Sequence, residues 1–385
     1  MKILIRHEHN ASEHIYSGLI NAFKIRGDEC VFWNPNAPAF DVFDTFEPDM
    51  FIGQGYNLDR ATIKCIKLRP NLKVLLKVGC WGEVCQDVDT DKYPILMNTE
   101  KEITMVEQAA ASLSAIKNLV LFNYVHPNRK DYLMGAWEET VAKTIGLLPA
   151  ADPEAYFKDT HDESLQCDIA FVGGYWPYKG ENLDKYIVPL CYPVGKHNIK
   201  IFGNQPWPVP QYMGFLDNHT TRRLFASATI CPNVSEPHAN VFGFEVNERI
   251  FKLAASKAFF ISDPIASLTE DVFTKNEAVV AETPAEFHSL IEEVINNPDV
   301  RDQHVDLFPD SKYSYFVDVG ASDGIYGSNT FSLEKRGWSG LCIEGHPDLI
   351  DELSKNRSCK INQSLISNKK ETVDFCAQET ELHLK

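Results

Sequence analysis

Between residues 173 and 180 the chain reads Gly173-Gly174-Tyr175-Trp176-Pro177-Tyr178-Lys179-Gly180, a glycine pair followed five residues later by a lysine. Glycines let an anion approach the backbone, a helix starting behind them offers partial positive charge, and Lys179 adds a mobile cation. That is the chemistry of a diphosphate cradle. A plain strand-to-helix turn with a surface lysine is the other reading of the same residues. Two more polar groups follow, Ser235 with Glu236 and then Asn247-Glu248-Arg249. For Glu248 and Arg249 a solvated helix face is the plain alternative.

In the first 150 residues the loops after the strands offer His7, His9, His14, Glu83 and His126 as groups able to take a proton. Of these, His126, Glu83 and His14 are the candidates for a catalytic base, and for each taken singly a loop or core polar group is the plainer reading. The early histidines lack a cysteine or carboxylate cluster that would complete four ligands, so no metal is expected. Asp89-Thr90-Asp91 would chelate a metal–diphosphate if an apolar strand delivered it. It lies in the polar stretch 86–93 and reads as a surface turn.

These residues need elements to position them. Residues 2–6 (KILIR) form a short apolar run that suits a strand buried on both faces. Ser12 can cap a helix whose stripe is Ile15, Gly18, Leu19, Ala22 and Phe23, and Gly27 stops it. Strands follow at 29–33, 50–56, 72–79 and 119–125, with helical segments between them. A second series runs from 168–172 (DIAFV) through a helix bearing Leu183, Ile187 and Leu190 to a strand at 199–202. Val246, Ile250, Leu253 and Ala254 line a helix ahead of a strand at 258–262, and Phe287, Leu290, Ile291, Val294 and Ile295 line another. Alternating strands and helices imply parallel sheets covered on both faces. The expected organisation is a Rossmann-like domain at 1–150, a linker at 151–166 and a second such domain at 167–305, the two facing a cleft. Open sheets of this kind bind ligands at their strand carboxyl ends.

A third, truncated Rossmann-like unit begins near 313. Residues 315–319 (YFVDV) form a strand running into the glycine turn 320–324, and 341–344 forms the next strand. Asp318, Gly320 and Gly324 make a D-x-G-x-x-x-G turn, and Glu344 ends the following strand where a carboxylate can accept ribose hydroxyls.

Composition narrows the rest. Lys+Arg 37 against Asp+Glu 54 gives a net charge of −17, which repels nucleic acid and anionic lipid. No apolar run reaches the ~18–20 residues of a membrane span. The N-terminus lacks a secretion-signal layout, and ten scattered cysteines without a CxxC pair suit reduced thiols. A cytoplasmic protein is expected.

Residues 146–157 (GLLPAADPEAYF), 168–173 (DIAFVG) and 246–263 (VNERIFKLAASKAFFISD), in that order, resemble the CgeB-type spore-maturation group of GT-B glycosyltransferases. The resemblance spans residues 1–300. It implies an α/β GT-B fold and a metal-independent enzyme that moves a sugar from a UDP-, GDP- or dTDP-sugar to a glycan or glycoconjugate hydroxyl. The donor would lie against Gly173, Gly174, Lys179, Ser235, Glu236, Asn247, Glu248 and Arg249. Gly174 stands where a related turn carries an arginine, and Arg249 is the replacement cation. Glu236 matches the first carboxylate of the related E-x7-E pair, whereas Lys252 stands where the second, on the ribose, belongs. Residues 315–376 resemble the opening of FkbM-type methyltransferases, which implies an S-adenosylmethionine site at Asp318, Gly320, Gly324 and Glu344. With the later strands of such a domain missing from these residues, no methyl transfer by this chain alone is expected. The alternatives are a sugar O-methyltransferase with an N-terminal glycan-recognition region, and a non-enzymatic nucleotide-sugar-binding protein.

Overall fold

The computed structural model describes residues 1–6, 10–34, 36–54, 58–81, 83, 111, 113–140, 143–273, 277–297, 315–325, 328, 330–335 and 338–365, without the side chains of 10–15, 139, 140 and 332. His7, His9 and the triplet 89–91 lie outside the described residues. The chain forms two compact units, Met1–Val305 and Asp306–Lys385.

The first half of the larger unit is a six-stranded parallel sheet. Its strands are β1 (Lys2–Ile5), β2 (Glu29–Phe32), β3 (Met50–Gln54), β4 (Lys73–Lys77), β5 (Leu119–Asn123) and β6 (Lys143–Gly146), in the order β2-β1-β3-β4-β5-β6. Successive side chains of a strand point to opposite faces, so Leu4 enters one core with Phe43, Phe51 and Trp137 while Ile3 and Ile5 enter another with Tyr16 and Ile52. Both faces are covered, as the unbroken apolar runs require, by α1 (Asn10–Ile25), α2 (Ala39–Phe46), α3 (Arg60–Lys67) and α4 (Lys130–Thr140). Ser12, expected to cap the first helix, lies inside α1, which already starts at Asn10. β6 was not expected: its four residues, KTIG, hold a single large apolar side chain and so no apolar run.

The second half is built on β7 (Cys167–Val172), β8 (Ile199–Phe202) and β9 (Ala228–Ile230), parallel and ordered β8-β7-β9. A parallel bridge from Asn233 to Ser262 extends it to β10 (Ile261–Ser262) and β11 (Val279–Val280). The strand expected over 258–262 is confined to its last two residues. Helices α5 (Pro177–Tyr186), α6 (Asn218–Ser227), α7 (Pro237–Phe242), α8 (Glu248–Ala255) and α9 (Pro284–Asn296) complete the half. α5 is shorter than its apolar residues imply. Ile187 caps its C-terminus and Leu190 falls in a 3-10 turn (Val188–Cys191), because Pro189 has no N–H to continue an α-helix. Phe287, Ile291 and Val294 of α9 are buried as their spacing predicts.

The stretch expected to be a linker is packed. Asp152 is buried, accepts from Asn21 Nδ2 at 2.7 Å and lies against Gly18 of α1; Asp159 pairs with Arg222 at 2.6 Å. Phe244, from the second half, is buried in the larger core of the first. Among the described residues no helix is long and apolar enough to cross a membrane.

The smaller unit holds β12 (Tyr315–Val319), β13 (Ser339–Glu344) and β14 (Lys360–Gln363), parallel and in that order, with α10 (Phe331–Lys335) and α11 (Ile350–Asn356). Its core is small: Phe316, Ala321, Cys342 and Leu353. Tyr315, Val317 and Val319, alternating along β12, remain exposed.

Candidate functional site

β7 is the switch point of the second sheet, with β8 on one side and β9 on the other. A crevice opens at the carboxyl end of such a strand because the flanking connections leave in opposite directions. Gly173 and Gly174 sit there. Gly173 N–H donates to Phe202 O at 2.8 Å, and its carbonyl accepts from Trp207 Nε1 at 2.8 Å. A Cβ on Gly203 would fall 2.3 Å from the Gly173 oxygen, so the turn after β8 and the turn after β7 touch backbone to backbone. A Cβ on Gly173 would fall 2.5 Å from a guanidinium nitrogen of Arg249. Glycine is therefore required here for close approach.

Trp176 then caps α5 and Pro177 opens it, so Lys179 falls in the first turn. Its side chain is 6% exposed, with Nζ 5.1 Å from the Trp176 ring. Among the described residues no hydrogen bond or ion pair reaches that ammonium. Burial first, and the nearby Arg249 charge second, push its pKa down to about 7, against an opposing pull from Glu236 and Asp263. Arg249 is anchored: Nε donates to Val172 O at 2.8 Å, Nη1 reaches Asn233 Oδ1 and Val234 O at 3.3 Å, and the guanidinium lies 4.4 Å over the Phe171 ring.

Two cavities meet here. One of about 340 Å³ is lined by Gly173, Gly174, Lys179, Asn247, Glu248, Arg249 and Lys252, with Trp176, Phe215 and Leu216 at its apolar side. The second, about 150 Å³, is lined by Ser235, Glu236, His238 and Glu245, by Lys179, Asn247 and Glu248 again, and by Tyr124 and Pro149 of the first half. Tyr124 follows β5, so the carboxyl ends of both sheets converge on the smaller cavity. All eight residues expected to bind a donor line one cavity or the other. Glu248 and Lys252, one turn apart on α8, pair at 2.8 Å and face the larger one. The loop carrying Ser235 is held by Asp263, which is fully buried and accepts from Ser235 N at 2.8 Å and Asn240 Nδ2 at 2.9 Å. Burial raises the Asp263 pKa.

The catalytic candidates are not gathered. His126 caps a 3-10 turn (Pro127–Arg129), accepting from Asn128 N–H at 3.3 Å, and its Nδ1 is 3.7 Å from Asp271. It lines neither cavity, because the same turn sends Arg129 to pair with Glu270 at 2.6 Å and with Asp271. Glu83 is exposed and also lines neither. His14 belongs to α1, with its side chain outside the described residues. Sequence reasoning missed His238, Glu245, Tyr124 and Asp263. The one local signal was Pro237, which opens a helix straight after Glu236 and sets His238 in its first turn.

In the smaller unit Gly320 (φ 71°) and Gly324 (φ 82°) adopt the left-handed conformation that the glycine turn requires. Both carboxylates expected at a cofactor have internal partners. Asp318 accepts from Ser328 Oγ at 2.8 Å and Thr330 Oγ1 at 2.5 Å, and Glu344 accepts from the N–H groups of Ser322 at 2.7 Å and His346 at 2.8 Å.

Residues 188–306 match the family described as glycosyl transferase-like. That stretch carries Ser235, Glu236, Asn247, Glu248 and Arg249 and ends at the first residue of the smaller unit. The chain is similar to a glycosyltransferase from Rickettsia africae, at 11% identity and TM-score 0.48, over 80% of this chain and 91% of that one. It is similar to Anabaena Alr3699/HepE, solved with UDP and glucose, at 11% identity and TM-score 0.47, over 79% and 92%. Acinetobacter baumannii MurG follows at 10% identity and TM-score 0.37, over 79% and 93%. No curated protein matches the chain.

Proposed function

We propose that this protein is a GT-B glycosyltransferase of the CgeB type that takes a sugar from a nucleoside-diphosphate donor and passes it to a hydroxyl of a glycan or glycoconjugate. The observation that carries the reading is Lys179: a buried ammonium that no carboxylate pairs with among the described residues, beside Arg249, facing both cavities. A cation kept dry at such a cost points to an anion that arrives with the ligand. The donor's diphosphate lies against Gly173, Gly174, the start of α5 and the two cations, which offset the charge that develops as the leaving group departs. Its nucleoside occupies the larger cavity, where Trp176, Phe215 and Leu216 offer apolar surface to a base. Lys252 replaces the expected ribose carboxylate, and Glu248, paired with it, supplies that acceptor one turn earlier on α8. The sugar extends into the smaller cavity at the seam with the first half, where the acceptor enters. No metal is needed, since the cations of the chain serve the diphosphate. For residues 313–385 the S-adenosylmethionine reading is supported by the conformation of Gly320 and Gly324 and by the motif that contains them.

The test is a melting-temperature screen against UDP-, GDP- and dTDP-sugars. At a hundredfold excess over Kd a true donor should stabilise the protein by about 2.7 kcal/mol. No response to any of the three classes would remove the donor site. Turnover of the donor then separates an enzyme from a binding protein.

A further inference from the structure

Given the donor site just proposed, the smaller cavity holds two residues that it does not use, His238 and Glu245. Glu236 caps the N-terminus of α7 and lines this cavity with Tyr124 of the first half. Beside it lies the His238 imidazole, 1% exposed. Nε2 is 2.5 Å from Glu245 Oε2, Nδ1 is 3.0 Å from the Tyr178 hydroxyl, and Glu236 Oε2 is 3.9 Å from Nδ1. The Tyr178 ring stacks on the imidazole at 5.9 Å, 6° from parallel. Glu245 reaches His238 from a backbone at φ 67°, a conformation glutamate rarely adopts. One imidazole thus stands between two carboxylates, one tied to it and one facing the cavity.

The surroundings push those carboxylates apart. Burial raises both, and Glu245 raises Glu236 further against the opposing charges of Lys179 and His238. For Glu245 the His238 hydrogen bond and charge, with Lys77 of the first half, outweigh burial and bring it below the usual range. The groups acting on Glu236 are therefore Lys179 from α5, His238 from α7 and Glu245 from the loop before α8. Lys179 in turn feels Arg249 and Asp263. Carboxylates driven apart in this way mark an acid–base assignment.

We propose that Glu236 takes the proton of the acceptor hydroxyl, and that His238 and Glu245 are a positioning pair that holds Glu236 in the cavity and governs its ionisation. As the acceptor oxygen bonds to the anomeric carbon, its proton passes to the Glu236 carboxylate. The bond from that carbon to the diphosphate oxygen breaks, and its electron pair leaves with the diphosphate beside Lys179 and Arg249. The proton is then returned to water.

The experiment uses the full chain with UDP-glucose, GDP-mannose and dTDP-glucose as probes. It reads nucleoside-diphosphate release to water or to added glycans, alongside melting shifts. Glu236→Gln should lower release at least a hundredfold, far more than it weakens the melting shift, and Glu236→Asp should retain a measurable part. The acidic limb of the pH–rate profile should move in opposite directions in two further variants. It moves up in His238→Gln, which removes a positive partner, and down in Glu245→Gln, which removes a negative one. Release by Glu236→Gln above a tenth of the parent, or an unmoved limb in both positioning variants, overturns the inference. A parent that binds a nucleotide sugar yet releases nothing overturns it while the donor site stands. A parent that binds none overturns both.

Discussion

Lys179→Met should melt at a higher temperature than the parent protein and lose its response to nucleoside diphosphates. The lysine is buried beside Arg249 and has a pKa near 7, held down by desolvation and like charge. Its value in an unfolded chain is ~10.4, so between roughly pH 7 and 10 the unfolded state binds more protons than the folded one. Stability contributed at this position therefore rises with pH through that window, and the full cost of the buried cation is present below it. Methionine fills similar space without charge. At pH 6 the variant should gain about 1–3 kcal/mol, a gain that shrinks toward pH 9. Melting curves at the two pH values check this. A charge-assisted contact to phosphate contributes ~1.5–3 kcal/mol, so nucleoside-diphosphate affinity should fall about 10- to 150-fold. In the parent, binding above pH 7 must reprotonate Lys179, and calorimetry in buffers of different ionisation enthalpy should detect proton uptake that the variant lacks. Unchanged affinity in Lys179→Met would place the diphosphate elsewhere.

Gly203→Ala should destabilise the larger unit by about 2–4 kcal/mol and weaken donor binding with it. The added methyl would lie 2.3 Å from the Gly173 oxygen, 2.6 Å from its carbonyl carbon and 2.9 Å from Gly174 N. All three are backbone atoms, so no side chain can rotate away. The turns after β7 and β8 would have to part, and with them the bond from Trp207 Nε1 to Gly173 O. Gly135→Ala is the control. It lies within α4 with nothing near its Cβ position, and should stabilise by about 0.5–1 kcal/mol. Denaturant melts of both variants, followed by nucleotide titration, separate a general loss of stability from a displaced bend. Equal behaviour of the two would mean that the backbone contact at Gly203 is not a constraint.

Much of this molecule can be read along the chain. Apolar runs such as KILIR and DIAFV announce buried strands because a parallel strand covered on both faces has no polar alternation to hide. The bend at Gly173, the start of α5 at Pro177 and the position of Lys179 in its first turn are consecutive residues, and the preferences of glycine, proline and helix ends act over that range. The same holds for Gly320 and Gly324. Elements such as β6, β9 and β11 hold one or two large apolar side chains each and so show neither a run nor a period. Packing decided those.

The His238–Glu245 pair belongs to the tertiary structure alone. His238 and Glu245 are seven residues apart and meet only because the chain turns back through left-handed residues at Gly243 and Glu245. Tyr124 joins them from the other sheet, and Asp263 supports Ser235 from a distant strand end. His126 has the right chemistry and a loop position, yet faces Asp271 instead. Local backbone preference acts over a few bonds and is written in neighbouring residues. Which side chains share one cavity depends on how whole sheets pack, and that is set by the sum of many apolar contacts that no short segment contains.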